Sequence, residues 1–257
     1  MNVVNIIPAR MGSSRFPGKP LASILDKSMI EHCYRRAYMA ESNNITYVAT
    51  CDKEIFNHVR EFGGNVVMTS SSHDRATTRT SEALEHIEKI HGTEYDIVLM
   101  VQGDEPLVSP KSISFMLQSF LDETVDIVNL MSPILDKIQF IDNNNVKVVC
   151  NKFGNAMYFS REPIPHNWTR EDDIPMFMQT GIIAFKRDIL IDFNKMPETS
   201  LERIESIDMN RVLEAGMNVR MIASEKTTLS VDTPAELEDA IRMMRSDIFF
   251  ESYRNIK

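Results

Sequence analysis

The loop Pro8–Pro20 (PARMGSSRFPGKP) is dense in residues that could bind phosphate groups. It follows a short apolar run, Val3–Ile7, which predicts a buried strand. Open α/β sheets bind ligands at the carboxyl ends of their strands, where this loop would lie. Cations, hydroxyls and free backbone N–H groups this close together suit a triphosphate, and a solvated basic turn is the alternative. The side chains concerned are Arg10, Arg15, Lys19, Ser13 and Ser14, and Gly12 and Gly18 would permit close approach of the backbone.

Two acidic segments could hold a divalent metal. Asp104 lies in VQGDEP, directly after the apolar run Ile97–Val101, and Asp232 lies in SVDTPAE before a helical pattern. Mg²⁺ prefers one or two protein carboxylates together with phosphate oxygens of the substrate. An aspartate at either place could instead cap the helix that follows, so both interpretations stay open.

Two further segments place arginines beside predicted helix or strand ends. Arg79 lies in SHDRATTRTSE at the start of a predicted helix, where arginines and free N–H groups favour anions. Arg161 follows the strand-like run in AMYFSREPIP and could face a carboxylate. The six histidines show no metal-ligand spacing, and His73 is a weak candidate for a base.

Composition narrows the class of protein. The 257 residues carry a net charge of −9, which disfavours binding to nucleic acid or to an anionic membrane surface. Three widely spaced cysteines indicate neither a disulfide framework nor a zinc site. We find no signal peptide pattern and no apolar run of membrane-spanning length, and so expect a cytoplasmic protein that does not bind membranes.

The first half of the chain alternates between strand and helix patterns. This alternation predicts an α/β fold with a mostly parallel, Rossmann-like sheet. The predicted strands are Val3–Ile7, Ile45–Thr50, Asn65–Met68 and Ile97–Val101, and the predicted helices are Met29–Met39, Lys53–Phe62, Thr77–Ile90 and Pro110–Leu121.

The second half is richer in strand patterns. We predict a single domain, 1–257, with a β-rich insertion at about 130–200. Helical patterns return at Ile204–Ala215 and Pro234–Arg245, whereas the tail 247–257 yields no prediction.

Taken together, these segments resemble the 3-deoxy-manno-octulosonate cytidylyltransferases, also called CMP-KDO synthetases. The resemblance covers about residues 2–245 and rests on the order and spacing of IIPARMGSSRFPGKPL, TSSSHDRATTR, VQGDEP, NVKVVCNKFGNAMYFSREPIP and VDTPAELE. It implies a nucleotidyltransferase fold, a homodimer, and transfer of CMP from CTP to a 3-deoxy sugar acid with Mg²⁺ as cofactor. Such a product serves the synthesis of lipopolysaccharide or another surface polysaccharide.

The resemblance also assigns roles to individual residues. Lys19, Asp104 and Asp232 would be catalytic, with Asp104 and Asp232 holding Mg²⁺. The nucleotide would be bound by Pro8, Ala9, Arg10, Gly12, Ser13, Ser14, Arg15, Lys19, Arg79 and Gln102. The sugar acid would be bound by Gln102, Arg161, Gln179, Glu205 and Asp208.

Several positions depart from the usual pattern of that family. Ala76 and Thr78 stand where HxSGT[ED]R has glycine and an acid, and Gln179 and Ile183 stand where HIGIYGYR has histidine and tyrosine. These departures favour a sugar acid other than 3-deoxy-manno-octulosonate, such as an amino-substituted derivative of it. A sialic-type acid synthetase and a non-catalytic nucleotide-binding module are the alternatives.

Overall fold

The computed structural model describes residues 1–13, 15–40, 45–168 and 175–256. Its strands are β1 Val3–Ala9, β2 Ser23–Ile24, β3 Lys27–Ser28, β4 Ile45–Thr50, β5 Asn65–Met68, β6 Ile97–Val101, β7 Ile127–Pro133, β8 Lys147–Cys150, β9 Ala156–Ser160, β10 Phe177–Lys186 and β11 Arg220–Ala223. Its α-helices are α1 Met29–Met39, α2 Lys53–Glu61, α3 Ala76–His91, α4 Pro110–Leu117, α5 Lys137–Ile141, α6 Arg187–Lys195, α7 Ser200–Glu205, α8 Met209–Glu214, α9 Pro234–Met244 and α10 Ile248–Tyr253.

The central sheet confirms the predicted α/β class. Its strands run in the order β11-β7-β10-β6-β1-β4-β5, and β8 and β9 continue from β10. Neighbours are parallel from β6 through β1 and β4 to β5, and β11 is parallel to β7. β10 is antiparallel to both β6 and β7, so a strand from the second half of the chain lies in the middle of the sheet. The single domain with a β-rich insertion at about 130–200 stays a prediction.

The strands are buried because both faces of the sheet are covered. All seven residues of β1 are buried, and successive side chains of a strand point to opposite faces. Val4 and Ile6 join one apolar cluster, whereas Val3 and Ile7 join another. The continuous apolar runs in the sequence therefore reflect helices on both faces.

One predicted helix is wrong. The pattern over 204–215 forms two short helices, α7 and α8, separated at Ser206. Ser206 has a left-handed backbone conformation with φ of 55°, which ends α7, and Ile207 is buried directly after it. An ion pair of 2.5 Å between Arg211 and the fully buried Glu202 holds the two helices together.

The C-terminal tail forms a helix that the sequence did not predict. Phe250 and Tyr253 of α10 are buried against α9. The fully buried guanidinium of Arg36 donates to Tyr253 Oη at 3.2 Å and to Asp247 Oδ1 at 2.5 Å. The tail therefore fixes α9, whose first turn follows Asp232.

None of the described helices is long and apolar enough to cross a bilayer.

Candidate active site

A cavity of about 700 Å³ opens at the carboxyl ends of β1 and β6. This is the edge at which a parallel sheet of this kind presents ligand-binding loops. Most of the predicted site residues line it, namely Pro8, Ala9, Arg10, Gly12, Ser13, Arg15, Lys19, Arg79, Gln102, Asp104, Arg161, Gln179, Asp208 and Asp232. Ser14 lies outside the described residues, and Glu205 lies behind the cavity wall.

Lys19 joins the two predicted metal carboxylates. Its Nζ donates to Asp104 Oδ2 at 2.7 Å and to Asp232 Oδ1 at 2.9 Å. Burial would lower the pKa of Lys19, but the charges and hydrogen bonds of Asp104 and Asp232 outweigh it, so the pKa is raised. The ammonium group therefore stays charged and holds the carboxylates together.

Neither aspartate is used as a helix cap. Thr233 caps α9 with a capping box to Glu236, and Ser109 caps α4. The backbone of Val231 donates to Asp104 O at 2.9 Å, which joins the two acidic segments directly. The capping interpretation left open by the sequence is therefore excluded, and both carboxylates instead pair with cations of the site: Lys19 contacts both, and Arg15 contacts Asp232.

The basic loop is anchored at Met11, and cationic side chains lie on both sides of this anchor in the sequence. Met11 N–H donates to Asp52 Oδ2 at 2.7 Å, so Asp52 at the end of β4 fixes the loop. Arg10 is exposed, and its guanidinium makes no hydrogen bond or ion pair within the described part of the chain. Arg15 lies between Asn144 Oδ1 at 2.6 Å and Asp232 Oδ2 at 2.9 Å. No motif indicated a role for Asp52, because only the pairing of β1 with β4 brings it to the loop.

Arg79 has a different environment from the one its sequence motif suggests. The residue is 3% exposed, and its guanidinium donates to Thr69 Oγ1 at 2.6 Å, Ser70 O at 3.2 Å and His73 O at 3.4 Å. His73 is in turn hydrogen-bonded to Glu82. Arg79 thus holds the segment 69–73 in shape at the cavity rim.

Arg161 is positioned by Glu205. The carboxylate of Glu205 accepts from Tyr158 Oη at 3.1 Å, Ser160 Oγ at 2.6 Å and the Arg161 N–H at 2.9 Å. Burial would raise the pKa of Glu205, but these hydrogen bonds lower it. Arg161 Nε donates back to Glu205 O at 2.7 Å, and Nη1 donates to Asn143 O at 2.9 Å. Glu205 therefore acts on the cavity through Arg161.

Glu105, the second member of the acidic pair in VQGDEP, is a site-wall residue to which the sequence assigned no separate role. It is 2% exposed, and its Oε1 accepts from Gly181 N–H at 2.8 Å. Burial raises the pKa of Glu105 to about 7. Gln102 N–H donates to Gly181 O at 2.9 Å, and a Cβ on Gly181 would lie 2.8 Å from Gln102 Cβ. Glu105 and Gly181 thus fix the turn that carries Gln102 and Asp104, and the motif VQGDEP was the only signal for it.

The far wall of the cavity comes from α3 and the break between α7 and α8. Asp208 Oδ2 accepts from Thr77 Oγ1 at 3.1 Å, and Arg75 Nη1 donates to Ser206 Oγ at 3.3 Å. The broken helix therefore matters for the site, because it turns the segment 206–208 toward the cavity.

Comparisons with known proteins agree with this architecture. Residues 4–222 match a family model described as cytidylyltransferase. The 3-deoxy-manno-octulosonate cytidylyltransferase of Fusobacterium nucleatum is 38% identical over 96% of this chain and 98% of its own length. The protein of that name from Escherichia coli is 36% identical over 95% of this chain and 97% of its own.

A solved structure agrees as well. It is the structure of CMP:2-keto-3-deoxy-manno-octonic acid synthetase complexed with CTP, whose sequence is 36% identical to this one. The two structures match with a TM-score of 0.84, and the match covers 95% of this chain and 99% of the synthetase chain. The chain therefore belongs to the cytidylyltransferase family and, within it, to the 3-deoxy-manno-octulosonate cytidylyltransferases.

Proposed function

We propose that the protein transfers CMP from CTP to the C2 hydroxyl of a 3-deoxy sugar acid and releases pyrophosphate, with 3-deoxy-manno-octulosonate as the first candidate acceptor. One observation carries this proposal. Lys19 lies between Asp104 and Asp232 in the same cavity as Arg10 and Arg15. Cations and carboxylates that converge in this way suit a metal–triphosphate complex.

The two carboxylates fit Mg²⁺. Asp104 Oδ1 is buried and has no hydrogen-bond partner among the described residues, so one hard oxygen ligand is uncommitted. No cluster of three or more metal-ligating side chains occurs in the described ranges, so phosphate oxygens and water would complete the coordination. Bound there, Mg²⁺ would neutralise charge on the α-phosphate.

The protein's own residues align the reactants. The C2 hydroxyl oxygen of the sugar acid attacks the α-phosphorus in line, the P–O bond to the leaving pyrophosphate breaks, and the hydroxyl proton passes to solvent. Arg10, Arg15 and Lys19 stabilise the charge that develops on pyrophosphate. Arg161, fixed by Glu205, is placed to bind the carboxylate of the sugar acid. We assign no side chain as a general base, and His73 Nε2 is hydrogen-bonded to Glu82.

We further propose a cytoplasmic homodimer, because CTP is a cytoplasmic metabolite and apolar side chains protrude from the β8–β9 hairpin. Phe153 and Met157 on this hairpin are 68% and 63% exposed, and a second copy of the chain would bury them. Sedimentation velocity tests the dimer: a monomer at micromolar concentration would contradict it.

The function is tested by supplying CTP and Mg²⁺ with a panel of sugar acids and measuring pyrophosphate and the CMP-linked product. The panel contains 3-deoxy-manno-octulosonate, its 8-amino derivative and N-acetylneuraminate. We expect release with an octulosonate and none with CTP alone. Preference for the amino derivative would support the modified substrate suggested by Gln179 and Ile183, whereas preference for the plain octulosonate would exclude it. Pyrophosphate release with none of these acids would contradict the proposed function. TTP with glucose 1-phosphate is tested in parallel as the rival reaction, and release with that pair alone would favour a sugar-1-phosphate nucleotidyltransferase.

A further inference from the structure

The strand β10 is irregular where it borders the cavity. Its antiparallel pairing with β7 changes register between Gln179 and Ile183. Such a bulge next to a site redirects side chains. One flank of the bulge is held by Glu105, which accepts from Gly181 N–H.

The other flank of the bulge is held by Asn129 of β7. Asn129 is fully buried, and its Nδ2 lies 3.1 Å from Leu130 O, 3.1 Å from Thr180 O and 2.9 Å from Ile182 O. Carbonyl oxygens only accept hydrogen bonds, so the side-chain atom that faces them must be the NH₂ group. The orientation of the Asn129 amide is therefore fixed by the backbone around it.

This orientation determines that of the neighbouring glutamine. Because Nδ2 faces the carbonyls, Asn129 offers only its Oδ1 to Gln179, at 2.7 Å from Gln179 Nε2. The amide of Gln179 must then donate one N–H to Asn129, which fixes the plane of the amide and leaves its carbonyl oxygen Oε1 and its second N–H without a partner among the described residues. Gln179 lines the cavity. A fixed hydrogen-bond acceptor is thus available to a ligand.

We propose that Asn129 is a positioning residue that locks Gln179 with its carbonyl oxygen toward the sugar acid, so that the enzyme selects acids carrying a hydrogen-bond donor at this point. The inference rests on the proposed function. The donor is a hydroxyl or an ammonium group, since a neutral carbonyl oxygen accepts from either. Without the lock, the amide could turn over and place its NH₂ group where the carbonyl oxygen lies, and the selection would be lost.

The first experiment removes the acceptor with Gln179→Met, a substitution of similar volume. We expect KM for the sugar acid to rise about tenfold, as for one lost hydrogen bond, while KM for CTP changes less than about twofold. Sugar acids with single hydroxyls replaced by hydrogen or by an amino group then identify the donor. The analogue that lacks the partner should be a poorer substrate for the wild type and show no further loss with Gln179→Met. An unchanged KM for the sugar acid, or an equal rise in both KM values, would overturn the proposal.

The second experiment separates positioning from stability. Asn129→Leu and Asn129→Asp each remove the amide that holds the three carbonyls, so both should lower the melting temperature. Asn129→Asp keeps an oxygen for Gln179 Nε2, and so should keep the wild-type KM for the sugar acid, whereas Asn129→Leu should raise it about tenfold. A similar KM in both variants would contradict the positioning role. If either variant fails to fold, the wild type decides the orientation: an analogue whose donor hydroxyl is replaced by a methoxy group, which only accepts, should be no better a substrate than the deoxy analogue, and equal use of the methoxy analogue and the parent acid would overturn the lock. Failure of the wild type to use any sugar acid would instead count against the proposed function.

Discussion

Lys19 Nζ lies 2.9 Å from Asp232 Oδ1, although 213 residues separate the two in the chain. The same ammonium group reaches Asp104. One cation thus holds two acidic segments whose mutual repulsion would otherwise separate them. This cluster lies at the centre of the site, and we expect substitutions of its members to have large effects on catalysis and stability.

Removal of the Asp104 charge should slow catalysis strongly. Asp104→Asn keeps the shape of the side chain but lowers its affinity for a cation, so we expect kcat to fall about 10²-fold or more. Pyrophosphate release at saturating CTP measures the effect. Asp239→Asn, on the rim of the same cavity, is the matched control and should stay within about threefold of wild type. Near-normal turnover of Asp104→Asn would exclude the metal assignment.

Removal of the Lys19 charge should destabilise the protein in the absence of Mg²⁺. Lys19→Met leaves Asp104 and Asp232 close together without their shared partner. Because these groups are partly exposed, we expect a loss of about 2 kcal/mol, or a melting temperature lower by about 4–8 °C. Mg²⁺ should then raise the melting temperature of Lys19→Met more than that of the wild type. Equal responses to Mg²⁺ would indicate that the metal binds elsewhere.

Two arginines of the site should respond differently to the same substitution. Arg10 is exposed and unpaired among the described residues, so Arg10→Gln should raise KM for CTP about tenfold at an unchanged melting temperature. Arg79 is buried and holds the segment 69–73, so Arg79→Gln should lower the melting temperature and speed amide exchange in that segment. Thermal scans and hydrogen exchange on both variants make the comparison. A raised KM for CTP with Arg79→Gln and a lowered melting temperature with Arg10→Gln would show that Arg79 is the ligand-binding arginine.

Stability should fall in mild acid because of His32. Burial is the main cause that lowers the pKa of His32, from 6.5 to about 4 in the folded protein, where its ring bonds to Tyr253 Oη and Ile24 O. The unfolded chain binds the proton first, so the contribution is complete above pH 6.5 and is lost as the pH falls toward 4. The full loss is about 3 kcal/mol.

Urea unfolding at several pH values measures this effect. His32→Gln should reduce the loss of stability between pH 6.5 and 4 relative to wild type, whereas the control His86→Gln, on a half-exposed surface residue, should not. Identical pH dependence in wild type and His32→Gln would show that other groups cause the acid sensitivity.

A methyl group on Gly181 should disturb the turn that carries Gln102. The added Cβ would lie within 2.9 Å of Gln102 Cδ, so the glutamine must move. We expect Gly181→Ala to lower kcat/KM about tenfold or more, since small displacements of aligned groups are costly. Pyrophosphate release by the wild type and by Gly181→Ala measures the effect, and equal activities would show that Gln102 has no fixed role.

The sequence by itself determined the α/β class and most of the element bounds in the first half. Local patterns suffice there, because each buried strand is a continuous apolar run and each helix is amphipathic. Motifs also identified most of the side chains that line the cavity, since loops at the carboxyl ends of strands must share one edge of the sheet.

Only the tertiary structure decided what each side chain does at that edge. Arg10 and Arg79 both lie in basic motifs. Arg10 is exposed to the cavity, whereas the guanidinium of Arg79 donates hydrogen bonds to backbone carbonyls. The contacts of Asn129, Asp52 and Glu105 were not predicted, because hydrogen bonds between distant segments depend on strand pairing and register, which no local pattern encodes. Residue types and spacing therefore specified the chemistry available, and long-range packing specified which groups are free to perform it.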